Sequence, residues 1–103
     1  MIRYKRIYCE AFGYDPERFI PSEVSGFAAV DVHHIDCKGM GGDPTGSKDR
    51  IENLIAVTRR EHEEYGDKKQ YMKFLYETHK EKMIRVGVKF DREYMNEKIN
   101  KYS

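Results

Sequence analysis

The chain has 103 residues, 36% of them charged and 39% hydrophobic, with a formal net charge of +1. Such a length holds one domain with a modest core, no apolar run approaches the roughly 20 residues of a spanning helix, and no apolar stretch behind Met1–Arg6 suggests a secretory leader. Two cysteines, Cys9 and Cys37, are too few for a disulfide framework and point to a reduced, cytoplasmic setting, and near-neutral charge means that any nucleic-acid contact must rest on local cations.

Residues 3–12 read as a short helix, with Ile7 and Phe12 inward, Tyr4, Tyr8 or Ala11 beside them, and Gly13 as its stop. A connector over 14–26 carries Pro16, Pro21, Ser22, Ser25 and Gly26. The stretch Phe27 to Ile35 is rich in small and β-branched residues, and its second half reads as a strand. Residues 36–50, with Gly39, Gly41, Gly42, Pro44 and Gly46, have the turn chemistry of a loop. At ~15 residues that loop is long enough to suggest a functional role. Gly39 to Gly42 lacks the Gly-Lys-Ser/Thr ending of a phosphate loop and reads as a turn.

Leu54 to Thr58 is a second short apolar strand, and a helix starts over Arg59 to Tyr65. Asp67 is the expected N-cap of a longer helix over about 68–85, whose Tyr71, Phe74, Leu75 and Thr78 recur at amphipathic spacing and read as core. Val86 to Phe90 is a break. Asp91 is the expected cap of a last helix, 92–101, carrying Tyr94, Met95 and Ile99. These elements make an α+β fold: a two-stranded hairpin plus a helix, flanked by N-terminal and C-terminal helices, in one domain over 1–103.

Three of the four histidines, His33, His34 and His62, fall in one window together with Asn53. Imidazole is a common metal ligand and a natural general base near neutral pH. In this order, His34 ends one strand, Asn53 opens the next and His62 lies on the helix behind, so a hairpin crossed by a helix gathers all of them. His79 stands apart and reads as structural. Asp31 and Asp36 flank the histidine pair, and either is a possible partner for it. Cys37, near the pair, reads as a small loop residue.

These residues resemble the HNH endonucleases, the ββα-metal finger class. The matching stretch runs from about 24 to 66, with His33-His34-Ile35, then Asn53-Leu54, then His62. The resemblance implies His33 and His62 as metal ligands, His34 as the general base and Asn53 as a residue of the catalytic set that usually fixes the loop behind the base and in some members of the class contacts the metal. It implies one divalent cation (Mg²⁺, Mn²⁺, Ni²⁺ or Zn²⁺), DNA as substrate, double-stranded and cut with little sequence specificity, and a host cell that is bacterial or phage-infected.

Many relatives carry a zinc knuckle of two Cys-x-x-Cys pairs. The corresponding places here read Ser22-Glu-Val-Ser25 and Thr58-Arg-Arg-Glu61, so no structural zinc is expected. Where some relatives have a further His, one turn past the helix ligand, this chain has Gly66. Arg59, Arg60, Lys68, Lys69 and Lys73 are the candidates for phosphate contact, with Lys38 and Lys48 in the loop; Glu61, Glu63, Glu64 and Asp67 interleave with them, as on an ordinary solvated face. The rival readings are a nucleic-acid-binding module without catalysis and a structural zinc-binding interaction domain on the same fold.

Overall fold

The computed structural model describes residues 1–36 and 47–103. Cys37, Lys38 and the Gly39–Gly42 turn lie outside the described residues. The architecture is α+β: a two-stranded antiparallel hairpin, β1 (Asp31–His34) and β2 (Leu54–Val57), with four α-helices around it. These are α1 (Arg3–Phe12), α2 (Arg59–Tyr65), α3 (Met72–Val86) and α4 (Arg92–Lys101). Single 3₁₀ turns, Ile51–Asn53 and Lys69–Tyr71, precede β2 and α3. Among the described residues, no helix is long and apolar enough to cross a membrane.

Strand β2 is covered on both faces. Leu54 and Ala56 pack with Tyr8, Cys9, Ile20 and Val32 on the α1 side. Ile55 and Val57 pack with Met72, Leu75, Tyr76, Met83 and Met95 on the α3–α4 side. All four β2 residues are buried, which explains why this strand reads as an unbroken apolar run and β1 does not. The register pairs His33 with Ile55 and His34 with Leu54. Residues directly opposite across an antiparallel pair share a face, and successive residues alternate faces. His33 therefore stands on the Ile55 face, toward α3, and His34 on the Leu54 face, toward α1.

Helix α1 ends as expected, with Gly13 in the left-handed region at φ 72°. Its most buried residues are Tyr8 and Cys9, with Tyr4, Ile7 and Phe12 partly buried and Ala11 exposed. Asp91 caps α4 by accepting from the Tyr94 N–H at 3.1 Å. Two features of the third helix differ from expectation. Asp67 is not its cap: it sits at φ 58° in the turn that leaves α2, and regular helix begins only at Met72. The inward face of α3 is Met72, Leu75, Tyr76, His79 and Met83, whereas Phe74 is exposed. The buried stripe Met72, Leu75, Tyr76, His79 and Met83 keeps regular helical spacing, and the histidine lies within it.

Candidate metal and catalytic site

Thr58 and Glu61 set the start of α2 through a capping box. The Thr58 hydroxyl accepts from the Glu61 N–H at 3.1 Å, and the Glu61 carboxylate accepts from the Thr58 N–H at 2.9 Å. This fixes where His62, one turn into α2, projects. Its ring meets that of His33 with centroids 4.2 Å apart. Behind the pair, Asp31 Oδ2 lies 3.8 Å from His62 Nδ1.

His33 is buried, and its Nε2 has no hydrogen-bond partner among the described residues. Burial, together with the neighbouring His62, lowers its pKa to about 4. The ring is thus neutral near pH 7 with a lone pair to offer, the state a metal ligand requires. A buried polar atom left unpaired costs ~1–3 kcal/mol, and a cation at this nitrogen would remove that cost. Gly66 borders the same space and leaves it open. A Cβ there would stand 2.5 Å from the His62 carbonyl oxygen, 2.6 Å from His62 Cδ2 and 3.2 Å from His33 Nε2. No side chain, least of all a third histidine, fits at residue 66 without displacing the pair. Among the described residues no group of three or more His, Cys, Asp or Glu side chains is placed to hold a metal.

His34 is on the other face of β1. Its Nε2 is 2.7 Å from Asp49 Oδ1, and its ring meets Tyr4 of α1 edge-on, with centroids 4.6 Å apart. Asn53 ties the two ends of the loop together. Its Oδ1 accepts from the Asp36 N–H at 2.8 Å, and its Nδ2 donates to the carbonyls of Asp36 and Lys48, each at 3.1 Å. The Tyr76 hydroxyl oxygen lies 3.0 Å from the same Oδ1, its proton going to the Asp36 carboxylate. Asn53 is fully buried. The hydrogen bonds of its side chain go to the two ends of the loop that carries Asp49.

Of the two flanking carboxylates, Asp36 is engaged elsewhere. Burial works to raise its pKa, but hydrogen bonds from Tyr76, Tyr102 and Lys98 prevail and hold it below the usual carboxylate range. Asp31 is the one near a histidine. The carboxylate that pairs with His34 is Asp49, which strand-neighbour reasoning misses. Its signal is indirect: His34 pairs with Leu54, so the returning end of the loop, just before Asn53, must lie beside the end of β1.

Arg59 and Arg60 are exposed in the first turn of α2, and Lys69 and Lys73 are exposed further on. Lys68 is committed locally: its ammonium donates to the carbonyls of Glu63 at 3.0 Å and Glu64 at 2.9 Å. It satisfies the C-terminal end of α2 and so is a poorer candidate for phosphate contact than its neighbours.

Ser22, Ser25, Thr58 and Glu61 come together. Ser22 donates to the Glu61 carboxylate, and its own oxygen accepts from the N–H groups of Val24 at 3.1 Å and Ser25 at 3.3 Å. Burial works to raise the Glu61 pKa, but hydrogen bonds from Ser22, Ser25 and Thr58 outweigh it and hold the group ionised. His79 is a buried pair member: its Nδ1 lies 2.9 Å from Glu23 and its Nε2 2.6 Å from the Ile51 carbonyl. Tyr8 donates to the same Glu23 at 2.6 Å.

Comparison with known protein families, with characterised proteins and with solved structures finds no match to this chain.

Proposed function

We propose that this protein is a metal-dependent endonuclease of the HNH kind, with residues 24–66 as its ββα-metal unit, acting on double-stranded DNA with little sequence preference in the cytoplasm. The observation that carries this reading is the division of labour at two consecutive strand residues. His33 faces His62 with an unpartnered, neutral nitrogen. His34, one residue on, faces the opposite way against a carboxylate. A cation site and a proton-accepting site on consecutive residues are the two functions that phosphodiester hydrolysis requires.

His33 and His62 would hold the cation, and the orphaned Nε2 of His33 and the space kept open by Gly66 fit that role. When bound, the metal supplies charge stabilisation for the scissile phosphate and the departing oxygen. Two imidazoles suit Mn²⁺, Ni²⁺ or Zn²⁺ better than Mg²⁺ by ligand softness. His34 takes a proton from the attacking water. The water oxygen bonds to phosphorus, the bond from phosphorus to O3′ breaks, and O3′ leaves with its electron pair and is protonated from solvent. Asn53 keeps the loop ends in register so that His34 meets its partner. Arg59 and Arg60, exposed on α2, would contact phosphate. Cations in the first turn of a helix oppose its dipole by ~0.3–1 kcal/mol each, so α2 gains nothing from them on its own.

Nicking of supercoiled plasmid with a panel of Mg²⁺, Mn²⁺, Ni²⁺ and Zn²⁺, and with EDTA, tests the reading. The wild type should relax plasmid with at least one metal and stop in EDTA. His34→Ala should lose cleavage by a factor on the order of 10²–10⁴ while still binding metal. A protein that retains stoichiometric zinc through dialysis and cuts nothing would instead be a structural zinc domain.

A further inference from the structure

We infer that Asp49 is the positioning residue of His34, holding the imidazole with Nε2 protonated and Nδ1 turned out as the proton acceptor, and that α1, outside the ββα unit, braces this pair. The inference rests on the nuclease reading above. The contact is short, 2.7 Å, and the Asp49 side chain is only 7% exposed, so water competes little for it. A carboxylate is an acceptor only, so a neutral ring facing it must carry its proton on the facing nitrogen. That leaves Nδ1 with the lone pair.

Asp49 is held from the other side. Arg3 Nη1 of α1 stands 3.9 Å from its second oxygen, and Tyr4, the next residue of α1, packs edge-on against the His34 ring. An imidazole free to rotate presents the wrong nitrogen or the wrong angle for much of the time, and misplacement by about 1 Å can cost ~10²-fold in rate. The Asp49 bond and the Tyr4 contact together remove that freedom. Asn53 contributes one step back, because its bond to the Lys48 carbonyl anchors the residue before Asp49.

The test is a double-mutant cycle on plasmid nicking, with an independent spectroscopic arm. Asp49→Ala should lower kcat by about 10²-fold with KM little changed. In a His34→Ala background the same change should do nothing further, because a residue that acts only through His34 has nothing left to position. In ¹⁵N–¹H spectra, the wild type should show a His34 Nε2 proton protected from solvent exchange, and Asp49→Ala should lose it. Asp49→Asn, which keeps the shape and an acceptor oxygen, serves if the alanine variant does not fold, and should show altered exchange at that proton. A wild type that cuts while Asp49→Ala cuts equally well overturns the assignment of Asp49 alone. So does an equal loss from Asp49→Ala with and without His34, or an unchanged Nε2 signal. A wild type that cuts nothing with any metal overturns the nuclease reading itself.

Discussion

Gly66→Ala separates the candidate metal site from ordinary glycine energetics, because the two predict opposite signs. Gly66 has φ −67° and ψ 141°, a conformation open to any residue. At such a position, replacing glycine by alanine normally stabilises a protein by ~0.4–1 kcal/mol, by restricting the unfolded chain. Here the added methyl would stand 2.5 Å from the His62 carbonyl oxygen and 2.6 Å from His62 Cδ2. The carbonyl is backbone and accepts the Gly66 N–H at 2.8 Å, so it cannot swing aside without breaking the end of α2. Relief must come from moving His62, and the third neighbour, His33 Nε2 at 3.2 Å, blocks part of that path. Overpacking of this kind costs ~1–3 kcal/mol. For a domain of this size that is a fall in Tm on the order of 5–20 °C. The displaced ring would also weaken Ni²⁺ binding by about tenfold or more, 1.4 kcal/mol per decade. Thermal melts in EDTA measure the first effect, and calorimetric titration with Ni²⁺ measures the second. A variant that melts at or above the wild type and binds Ni²⁺ equally well would show that residue 66 does not wall the histidine pair.

Stability of the metal-free protein should be dome-shaped in pH, with histidines shaping both sides. The Glu23 carboxylate and the Ile51 carbonyl raise the His79 pKa against its burial, so this pair stabilises fully below the unfolded pKa of ~6.5 and is lost as pH rises through the higher folded value. His33 works in the opposite sense: with a folded pKa of about 4, its contribution is present above ~6.5 and fades as pH falls toward 4. Urea denaturation from pH 4 to 9 should show both limbs, and His79→Gln should flatten the alkaline one while costing roughly 3–5 kcal/mol overall. Wild-type stability that rises steadily from pH 7 to 9 would refute the charged pair. Asn53→Ala leaves the Asp36 N–H and the Asp36 and Lys48 carbonyls without their side-chain partner. It should cost ~1–3 kcal/mol in urea and slow nicking in proportion to the loss of the His34–Asp49 contact. Asn53→Asp, which turns a carboxylate oxygen on those two carbonyls and buries a charge, should cost more than Asn53→Ala.

What could be read in advance, and what could not, divides along physical lines. Local rules predicted α1, β2, α2 and α4 because each is set by neighbours in sequence: Gly13 as a stop, a four-residue apolar strand, and Asp91 as a cap. The start of α3 was not legible. Asp67 has the chemistry of a cap, but the chain needs a left-handed residue there to leave α2, and aspartate tolerates that conformation too. The pairing of His33 with His62 follows from strand and helix order. The split between His33 and His34 follows from the two-residue period of a strand. Asp49 depends on how the loop returns, which no local rule states. His79 illustrates the converse: it reads as an isolated structural histidine, and it is structural, yet its role as a fully buried charged partner emerges only when Glu23, 56 residues away in sequence, is brought against it.

Glu61 anchors one corner of the fold. Ser22, Ser25 and Thr58 converge on its carboxylate, which also closes the capping box of α2. Removing a donor from a buried carboxylate is costly, so the arrangement ties the turn around Ser22 and Ser25 to α2. The Glu23 N–H bonds the Ala56 carbonyl at 3.0 Å, and the Val30 N–H bonds the Val57 carbonyl at 3.2 Å, carrying the same tie into β2. Glu61 and His62 are adjacent on α2. The residue that anchors the helix therefore also fixes the angle at which His62 meets His33, and this chain couples its metal-free anchor directly to its candidate metal ligand.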